Sequence, residues 1–425
     1  MAETIFALSS GSPPAAIAVI RISGPGAGPA LRTLAGTLPA ARQARVATLR
    51  DPGGEMLDRA LVLWLPGPNS ATGEDTAELH LHGGRAVVAA VQAALAALPG
   101  LRAALPGEFT RRAFLNGRID LTEAEGLADL LAAETELQRK SALAAAAGKL
   151  SGRVTEWRDR VLLLSAQLEA QLDFSDDDDV GSLDERFTWN IGALCREMAE
   201  HLAMPRAELL REGFRVVLAG PPNAGKSTLF NALVDAEAAI TSPQAGTTRD
   251  VLSRPVSLDG VPYVFLDTAG LRDDATDPIE RIGVERAQGE LDRADLVLWL
   301  GPPDQAPPTA WIIAAKADLS GNSDPGLARH CVSARTGAGM ADLRRDLVQH
   351  ARSSLPLPGE AALNRGQADL VREAHDALAG LQQAIDPLLV AEHLRLARVC
   401  FDRLLGRATT EDMLDALFSR FCIGK

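Results

Sequence analysis

The chain has 425 residues, of which 46% are hydrophobic and 23% charged, and a formal net charge of −13. That length exceeds one ordinary core and predicts about two to four domains of a globular protein. The acidic balance argues against nonspecific nucleic-acid binding by the whole surface, because phosphate repels an acidic field.

Four cysteines, Cys195, Cys331, Cys400 and Cys422, stand apart without a CxxC pair, which indicates neither a disulfide framework nor a zinc site. The start, Met1 to Ile5, lacks the basic stretch of a signal peptide, and Glu3 fits a transit peptide poorly. No stretch is apolar enough to span a bilayer, so a cytoplasmic protein with no membrane role is expected.

Residues 1–118 alternate β-like runs, Ile17–Ile22 and Ala60–Leu65, with Ala-rich helical stretches punctuated by Gly and Pro. This predicts a compact α+β module. From Leu121 the texture changes. Thr122-Glu123-Ala124-Glu125 has capping-box spacing and opens a stretch rich in Ala, Leu, Glu, Gln and Arg that runs to about Phe174. Apolar residues recur there at three and four, the pattern of amphipathic helices. Asp176 to Asp179 breaks it, and is read as a solvated loop rather than a metal site because like charges at that density repel.

Residues 214–350 read strand, loop and helix in alternation, as in a doubly wound α/β domain. The buried strand Phe214–Ala219 leads into Gly220-Pro221-Pro222-Asn223-Ala224-Gly225-Lys226-Ser227-Thr228, a full G-x-x-x-x-G-K-S phosphate loop, and a helix follows from Leu229. Glycines let backbone N–H groups close around phosphates, Lys226 reaches the β and γ oxygens, and the Ser227 hydroxyl can ligate Mg²⁺. Gly246-Thr247-Thr248 supplies a further hydroxyl for Mg²⁺, with Thr248 the choice. A second strand, Val261–Leu266, delivers Asp267-Thr268-Ala269-Gly270, whose aspartate serves the Mg²⁺ shell and whose Gly270 N–H can sense the γ-phosphate. Ile312–Ala315 is a further strand, ending in Lys316-Ala317-Asp318. The Asp318 carboxylate can accept from the guanine N1–H and N2–H₂ edge, which adenine lacks, and Ser333-Ala334-Arg335 fits the last base-contacting loop. The order and spacing of these segments favour GTP over ATP.

Two departures qualify this site. Ala315 stands where GTPases generally have Asn, which removes hydrogen bonds worth about 0.5–1.5 kcal/mol each and lowers the expected affinity. Leu271 stands where Ras-type enzymes place the glutamine that orients the attacking water. Hydrolysis must then use other groups. Asn223 can help hold a monovalent cation against the phosphates. Glu280 either orders the water or is simply a helix N-terminal carboxylate favoured by the dipole.

Gly301–Pro308 is a loop within this domain, and the chain turns helical again from Glu360 to about Phe421. Helical texture on both sides implies an α/β domain inserted into a helical one, whose halves pack together. The expected divisions are therefore 1–118, 119–210, 211–354 and 355–425. The basic residues Arg102, Arg111, Arg112 and Arg118, with Lys149 and Arg153, are read mainly as solvated surface charge and only secondarily as contacts to nucleic-acid phosphates.

Together these residues resemble the MnmE (TrmE) family of tRNA-modification GTPases. Phe421-Cys422-Ile423-Gly424-Lys425 is similar to that family's C-terminal Cys-x-Gly-Lys. Val19 to Gly24, Thr72 to Asp75 with Glu78 to Gly84, and Pro106 to Asn116 resemble its N-terminal segments. The resemblance implies a multidomain fold: an N-terminal α+β domain that binds tetrahydrofolate and dimerises, a discontinuous helical domain, and an inserted Ras-like G domain. It implies a homodimer that works with the FAD protein MnmG, in a heterotetramer or larger complex. That complex adds an aminomethyl-type group (carboxymethylaminomethyl or aminomethyl) at C5 of the wobble uridine of certain tRNAs, using a one-carbon unit from a 5-formyl or methylene folate. It also implies potassium-stimulated GTP hydrolysis. Carried over by motif, potassium contacts fall on Asn223, Ser242, Gln244 and Thr247, Mg²⁺ on Ser227 and Thr248, and the water-orienting role on Glu280. Folate contacts fall on Arg21, Glu78, Arg118 and Lys425, and Cys422, otherwise read as an inert thiol, gains a chemical role. Arg118 stands where the family usually has lysine, Ser242 where threonine is common, and Gln244 where an aliphatic residue is common. A rival reading is a ribosome-assembly GTPase of the Era or EngA kind, without folate chemistry; a basic C-terminal RNA-binding domain would favour it, and this chain ends in acidic-to-neutral helices.

Overall fold

The computed structural model describes residues 3–173, 185–205, 207–234, 253–267, 289–319, 326–357, 359–360, 362–381, 386–408, 410–419 and 421–424. The chain begins with β1 (Thr4–Leu8), β2 (Ile17–Ser23), α1 (Ala27–Ala35), β3 (Arg45–Arg50), β4 (Met56–Leu65), β5 (Thr76–His82), α2 (Arg85–Ala96), β6 (Leu101–Ala103) and α3 (Glu108–Leu115). Helices α4 (Leu121–Ala132), α5 (Glu136–Ala146), α6 (Lys149–Asp173), α7 (Glu185–Leu202) and α8 (Ala207–Glu212) follow. Then come β7 (Phe214–Ala219), α9 (Lys226–Val234), β8 (Ser253–Leu258), β9 (Val261–Asp267), β10 (Leu296–Trp299), β11 (Trp311–Ala315), β12 (His330–Val332) and α10 (Met340–Ser354). The chain closes on α11 (Arg365–Gly380), α12 (Pro387–Leu404) and α13 (Glu411–Phe418).

Two compact units divide it: residues 1–128, 151–162 and 398–425 form one, and 129–150 and 163–397 the other. In the first unit a sheet runs in the order β3-β4-β5-β2-β1-β6, antiparallel except where β1 meets β6. Alternation along β2 sends Ala18, Ile20 and Ile22 into a core with α1 and α2, while Arg21 and Ser23 point to the other face. On that other face Ile5 and Ala7 of β1 pack with Phe109 of α3. The C-terminal helix joins the same unit: Leu414, Phe418 and Phe421 cluster with Ala124 and, at the margin, Phe114 and Leu121. Arg158 of α6 donates to Asp402 of α12 at 2.6 Å, beside the Trp157–Phe401 ring pair.

In the second unit the order is β12-β11-β10-β7-β9-β8, parallel except for the edge strand β8. Val216, Val217 and Leu218 are fully buried, the continuous apolar run of a central parallel strand. Each such side chain stabilises the domain by about 1.5–3 kcal/mol. Met340, Leu343, Leu347, Val348 and Ala351 lay the apolar stripe of α10 on this core. Helix α7 packs on α11, so sequences on either side of the α/β segment do meet.

The helical stretch from Leu121 is divided into α4, α5 and α6, as its amphipathic pattern allows. A Thr135–Gln138 capping box restarts the chain at α5, and Gly148 at φ +80° separates α5 from α6. The expected box at Thr122–Glu125 is also displaced. Asp120 accepts from the Glu123 N–H at 2.9 Å, while the Glu123 carboxylate accepts from the Asp120 N–H at 2.8 Å. The box therefore starts at Asp120, because an aspartate caps as well as a threonine and begins the helix at Leu121. The loop Gly301–Pro308 holds one 3₁₀ turn, Pro303–Gln305. Asp176 to Asp179 lie outside the described residues.

The second unit also encloses two histidines. His330 and His350 both contact the Trp311 ring, and His350 also meets Phe214 edge-on. Burial holds both imidazoles below their ordinary pKa, with Arg329 adding to the effect at both and Arg345 at His330; Asp346 and Asp342 oppose it at His330. The folded state thus binds fewer protons than the unfolded chain, whose histidines titrate near 6.5. The resulting stability is present above that pH and is lost as pH falls below it. Urea unfolding of the whole chain, followed by tryptophan fluorescence, should give a lower midpoint at pH 5.5 than at pH 7.5. His330→Gln should narrow the gap, and equal midpoints in the parent would rule the effect out.

Candidate functional site

The phosphate loop is shaped by left-handed backbone. Gly220 lies at φ +142°, Asn223 at +60° and Gly225 at +101°. A Cβ on Gly220 would fall 3.0 Å from the carbonyl carbon of Leu300, so the first position of the motif requires glycine. Such loops at a helix N-terminus turn N–H groups toward an anion. Lys226, the first residue of α9, is 6% exposed, and its ammonium donates to the Gly220 and Pro221 carbonyls at 2.9 Å each. Ser227 and Thr228 are exposed in the first turn of α9. Asp267 ends β9 opposite Leu218 and is 2% exposed.

The segments expected to contact the base meet at the ends of β11 and β12. Lys316, at φ +60°, donates from Nζ to the Asn223 carbonyl at 2.6 Å, tying this loop to the phosphate loop. Ala317 N–H bonds the Val332 carbonyl at 3.1 Å, which places Ser333 beside Asp318. Ser333 Oγ donates to Asp318 Oδ1 at 2.6 Å, Arg335 donates from Nε to Oδ2 at 2.9 Å, and its Nη2 lies 2.7 Å from Oδ2 in the same ion pair. The Ser333 hydrogen bond, then the Arg335 guanidinium, hold Asp318 below the usual carboxylate range. It is therefore a fixed acceptor at neutral pH. Ala315, at the departure from the usual Asn, lies against Gly225, where a Cβ would stand 3.6 Å from its own.

Of the residues expected at this site, the structure places Asn223, Ala224, Gly225, Lys226, Ser227, Thr228, Asp267, Lys316, Asp318, Ser333, Ala334 and Arg335 at or just beyond the carboxyl ends of β7, β9, β11 and β12. Ser242, Gln244, Gly246, Thr247, Thr248, Thr268, Ala269, Gly270, Leu271 and Glu280 lie outside the described residues. The Lys316–Asn223 tether was invisible in the sequence, since 93 residues separate its ends.

A second polar cluster sits in the first unit, on the sheet face that also meets Phe109 of α3. Arg21 on β2 stands directly across from Glu78 on β5 and donates to its Oε1 from Nε at 3.0 Å and Nη2 at 2.9 Å. Glu78 Oε2 lies 3.2 Å from His80 Nε2. Burial pushes the Glu78 carboxyl up, but Arg21 and His80 together outweigh it and leave it below its ordinary value. The Arg21 guanidinium also lies 5.9 Å from the Phe109 ring centre. Arg118 is exposed; a Cβ on Gly73 would come 3.2 Å from its Cγ, so it lies against the 72–74 loop. That loop is bound through Thr72 and Glu74 to Ser23, two residues from Arg21. His80 was a missed neighbour, although its i+2 spacing from Glu78 in a strand already put both on one face. Phe109 carried no local signal.

The C-terminal tail approaches the same sheet. Gly424, at φ +96°, accepts at its carbonyl from Ser9 Oγ at 2.8 Å, and a Cβ there would fall 2.0 Å from the Leu8 carbonyl. Leu8 pairs with Ile20, the neighbour of Arg21. Lys425 lies outside the described residues, and Cys422 is an exposed free thiol. Most of the basic cluster is consumed within the fold. Arg102 pairs with Glu3 and Glu108, Arg111 with Glu411 and Asp415, and Arg112 with Glu74 and Glu108, while Lys149 donates to the Gly359 carbonyl. None of the described helices is long and apolar enough to cross a membrane.

A family model described as MnmE helical domain matches residues 121–422, and one described as GTP-binding protein TrmE N-terminus matches residues 4–118. The tRNA modification GTPase MnmE of Novosphingobium aromaticivorans is 61% identical over 442 residues, covering 100% of both chains. The protein of the same name from Erythrobacter litoralis is 60% identical, again over 100% of both, and that from Zymomonas mobilis is 50% identical. The solved G domain of the T. maritima FeoB iron transporter is 22% identical, covers 32% of this chain and 98% of its own, and has a TM-score of 0.25, too slight a likeness to argue from.

Proposed function

The chain belongs to the MnmE family of tRNA modification GTPases, and on that footing we propose that it couples GTP hydrolysis to modification of the wobble uridine of certain tRNAs at C5. The observation that carries this reading is the phosphate loop itself. Lys226 is buried and prepositioned, and the guanine-reading Asp318 is held ionised within reach of the same loop. Lys226 exchanges two carbonyl partners for the β and γ oxygens, and Asp318 accepts from the base edge. A magnesium ion would be held by Ser227 and Thr248 and would neutralise developing phosphate charge. Potassium would sit among Asn223, Ser242, Gln244 and Thr247, taking the place of an arginine finger, and Glu280 would order the water that Leu271 cannot. The exposed Ser227 hydroxyl and the left-handed turn at Asn223 fit those assignments.

In the first unit Arg21, Glu78, Arg118 and Lys425 would hold a 5-formyl or methylene tetrahydrofolate that supplies the one-carbon unit. The docking of Gly424 beside β1 supports this, because it brings the residue before Lys425 to the sheet that carries Arg21. On this reading residues 1–118 are the folate and dimerisation domain, 119–210 with 355–425 the helical domain, and 211–354 the G domain. The chain acts in the cytoplasm as a homodimer with the FAD-bearing MnmG, and Cys422 is available for chemistry on the uridine. Full-length likeness to tRNA modification GTPases leaves the ribosome-assembly alternative without support.

The test is turnover in two salts together with nucleoside analysis. GTP hydrolysis should be at least about tenfold faster in KCl than in NaCl at equal ionic strength, given the 10²–10³ that one positioned charge-stabilising group contributes. Equal rates would remove the cation role of Asn223. Unmodified wobble uridines are expected in tRNA from a deletion strain, and unchanged ones would leave only the GTPase.

A further inference from the structure

Asp318 has more donors than a guanine-reading carboxylate needs. Oδ1 accepts from Ser333 Oγ at 2.6 Å. Oδ2 accepts from Arg335 Nε at 2.9 Å and has Nη2 of the same guanidinium 2.7 Å away, so the ion pair stands over this oxygen. Guanine brings two donors of its own, N1–H and N2–H₂, to the same group. Ser333 can stay, because Oδ1 keeps a second lone pair. Arg335 cannot keep its guanidinium over Oδ2 once the base edge arrives. The exposures say which partner yields: the Asp318 side chain is 13% exposed and locked by Ser333, whereas that of Arg335 is 74% exposed and free to swing into solvent.

We propose that Arg335 is an intramolecular competitor for the guanine-reading carboxylate, and so sets how tightly this pocket holds a guanine nucleotide. The proposal rests on the reading of Asp318 given above and deepens it. Arg335 covers the carboxylate until the base displaces it, and recaptures it as the base leaves. An exposed ion pair of this kind shifts an equilibrium by about twofold to fivefold, so the competition tunes affinity without closing the site. Its effect compounds the loss at Ala315, which removes an amide from the same base-reading segment. A lysine could not substitute fully, since an ammonium lacks the planar guanidinium that sets Nε and Nη2 together over Oδ2.

Titration of the full-length chain with a fluorescent mant-GDP tests this. Arg335→Ala should bind about twofold to fivefold tighter than the parent, with Arg335→Lys between them. The advantage of Arg335→Ala should shrink as salt rises, because screening weakens the competing pair in the parent. A merely structural arginine would give neither the gain nor its salt dependence. Asp318→Asn should bind at least about tenfold more weakly. If Arg335→Ala binds no tighter while Asp318→Asn is weakened, the competition is overturned and the base reading stands. If Asp318→Asn is unaffected, the base reading itself fails.

Discussion

Lys226→Ala is expected to cut single-turnover GTP hydrolysis by on the order of a thousandfold and to weaken nucleotide binding with it. The ammonium is buried and already held by the Gly220 and Pro221 carbonyls at 2.9 Å, so it approaches the phosphates without searching rotamers. Preorganised charge costs no reordering as the transition state forms, which is why its removal is expensive. Lys226→Arg should not rescue, because a wide planar guanidinium does not fit where a slim ammonium threads between two loop carbonyls. Thermal melting separates this effect from unfolding. A variant that stays folded and turns over within tenfold of the parent would contradict the role.

On the proposed reading, Gly424→Ala should separate uridine modification from GTP hydrolysis. The position combines φ +96° with a Cβ site 2.0 Å from the Leu8 carbonyl, so any side chain meets backbone in a conformation that already disfavours it. The tail beyond Phe421 should then leave β1, breaking the Ser9–Gly424 hydrogen bond. Wobble-uridine modification in cells should fall to the level of a deletion strain. GTP hydrolysis in KCl, carried by the other unit, should be unchanged. Ile423→Ala is the matched control: its side chain is exposed, and it should lose nothing. Full modification in Gly424→Ala would mean that the docked tail has no part in the uridine chemistry.

Both variants act where the sequence was easy to read, but for different reasons. The phosphate loop, the strand before it, and the segments ending in Asp267 and Asp318 were legible because each is a short contiguous pattern whose backbone geometry is locally encoded. The strands over Ile17–Ile22 and Ala60–Leu65 were legible through alternation, and they fall within β2 and β4. Helix boundaries were less so. The cap at Asp120 went unseen because several hydroxyl and carboxylate residues in a row offer competing starts, and only the hydrogen bonds select one.

By itself the sequence determined the family, since the phosphate loop, Lys316-Ala317-Asp318 and Cys422-Ile423-Gly424-Lys425 are each written in consecutive residues. Tertiary structure alone decided which distant residues complete them. It seats Phe109 near Arg21, ties Lys316 to Asn223, spends Arg102, Arg111 and Arg112 on internal carboxylates, and lays Gly424 against Leu8. The physical reason is range. Propensity and periodicity act over a few residues, whereas these contacts form only after burial of apolar faces has brought remote strands and helices to within hydrogen-bond distance.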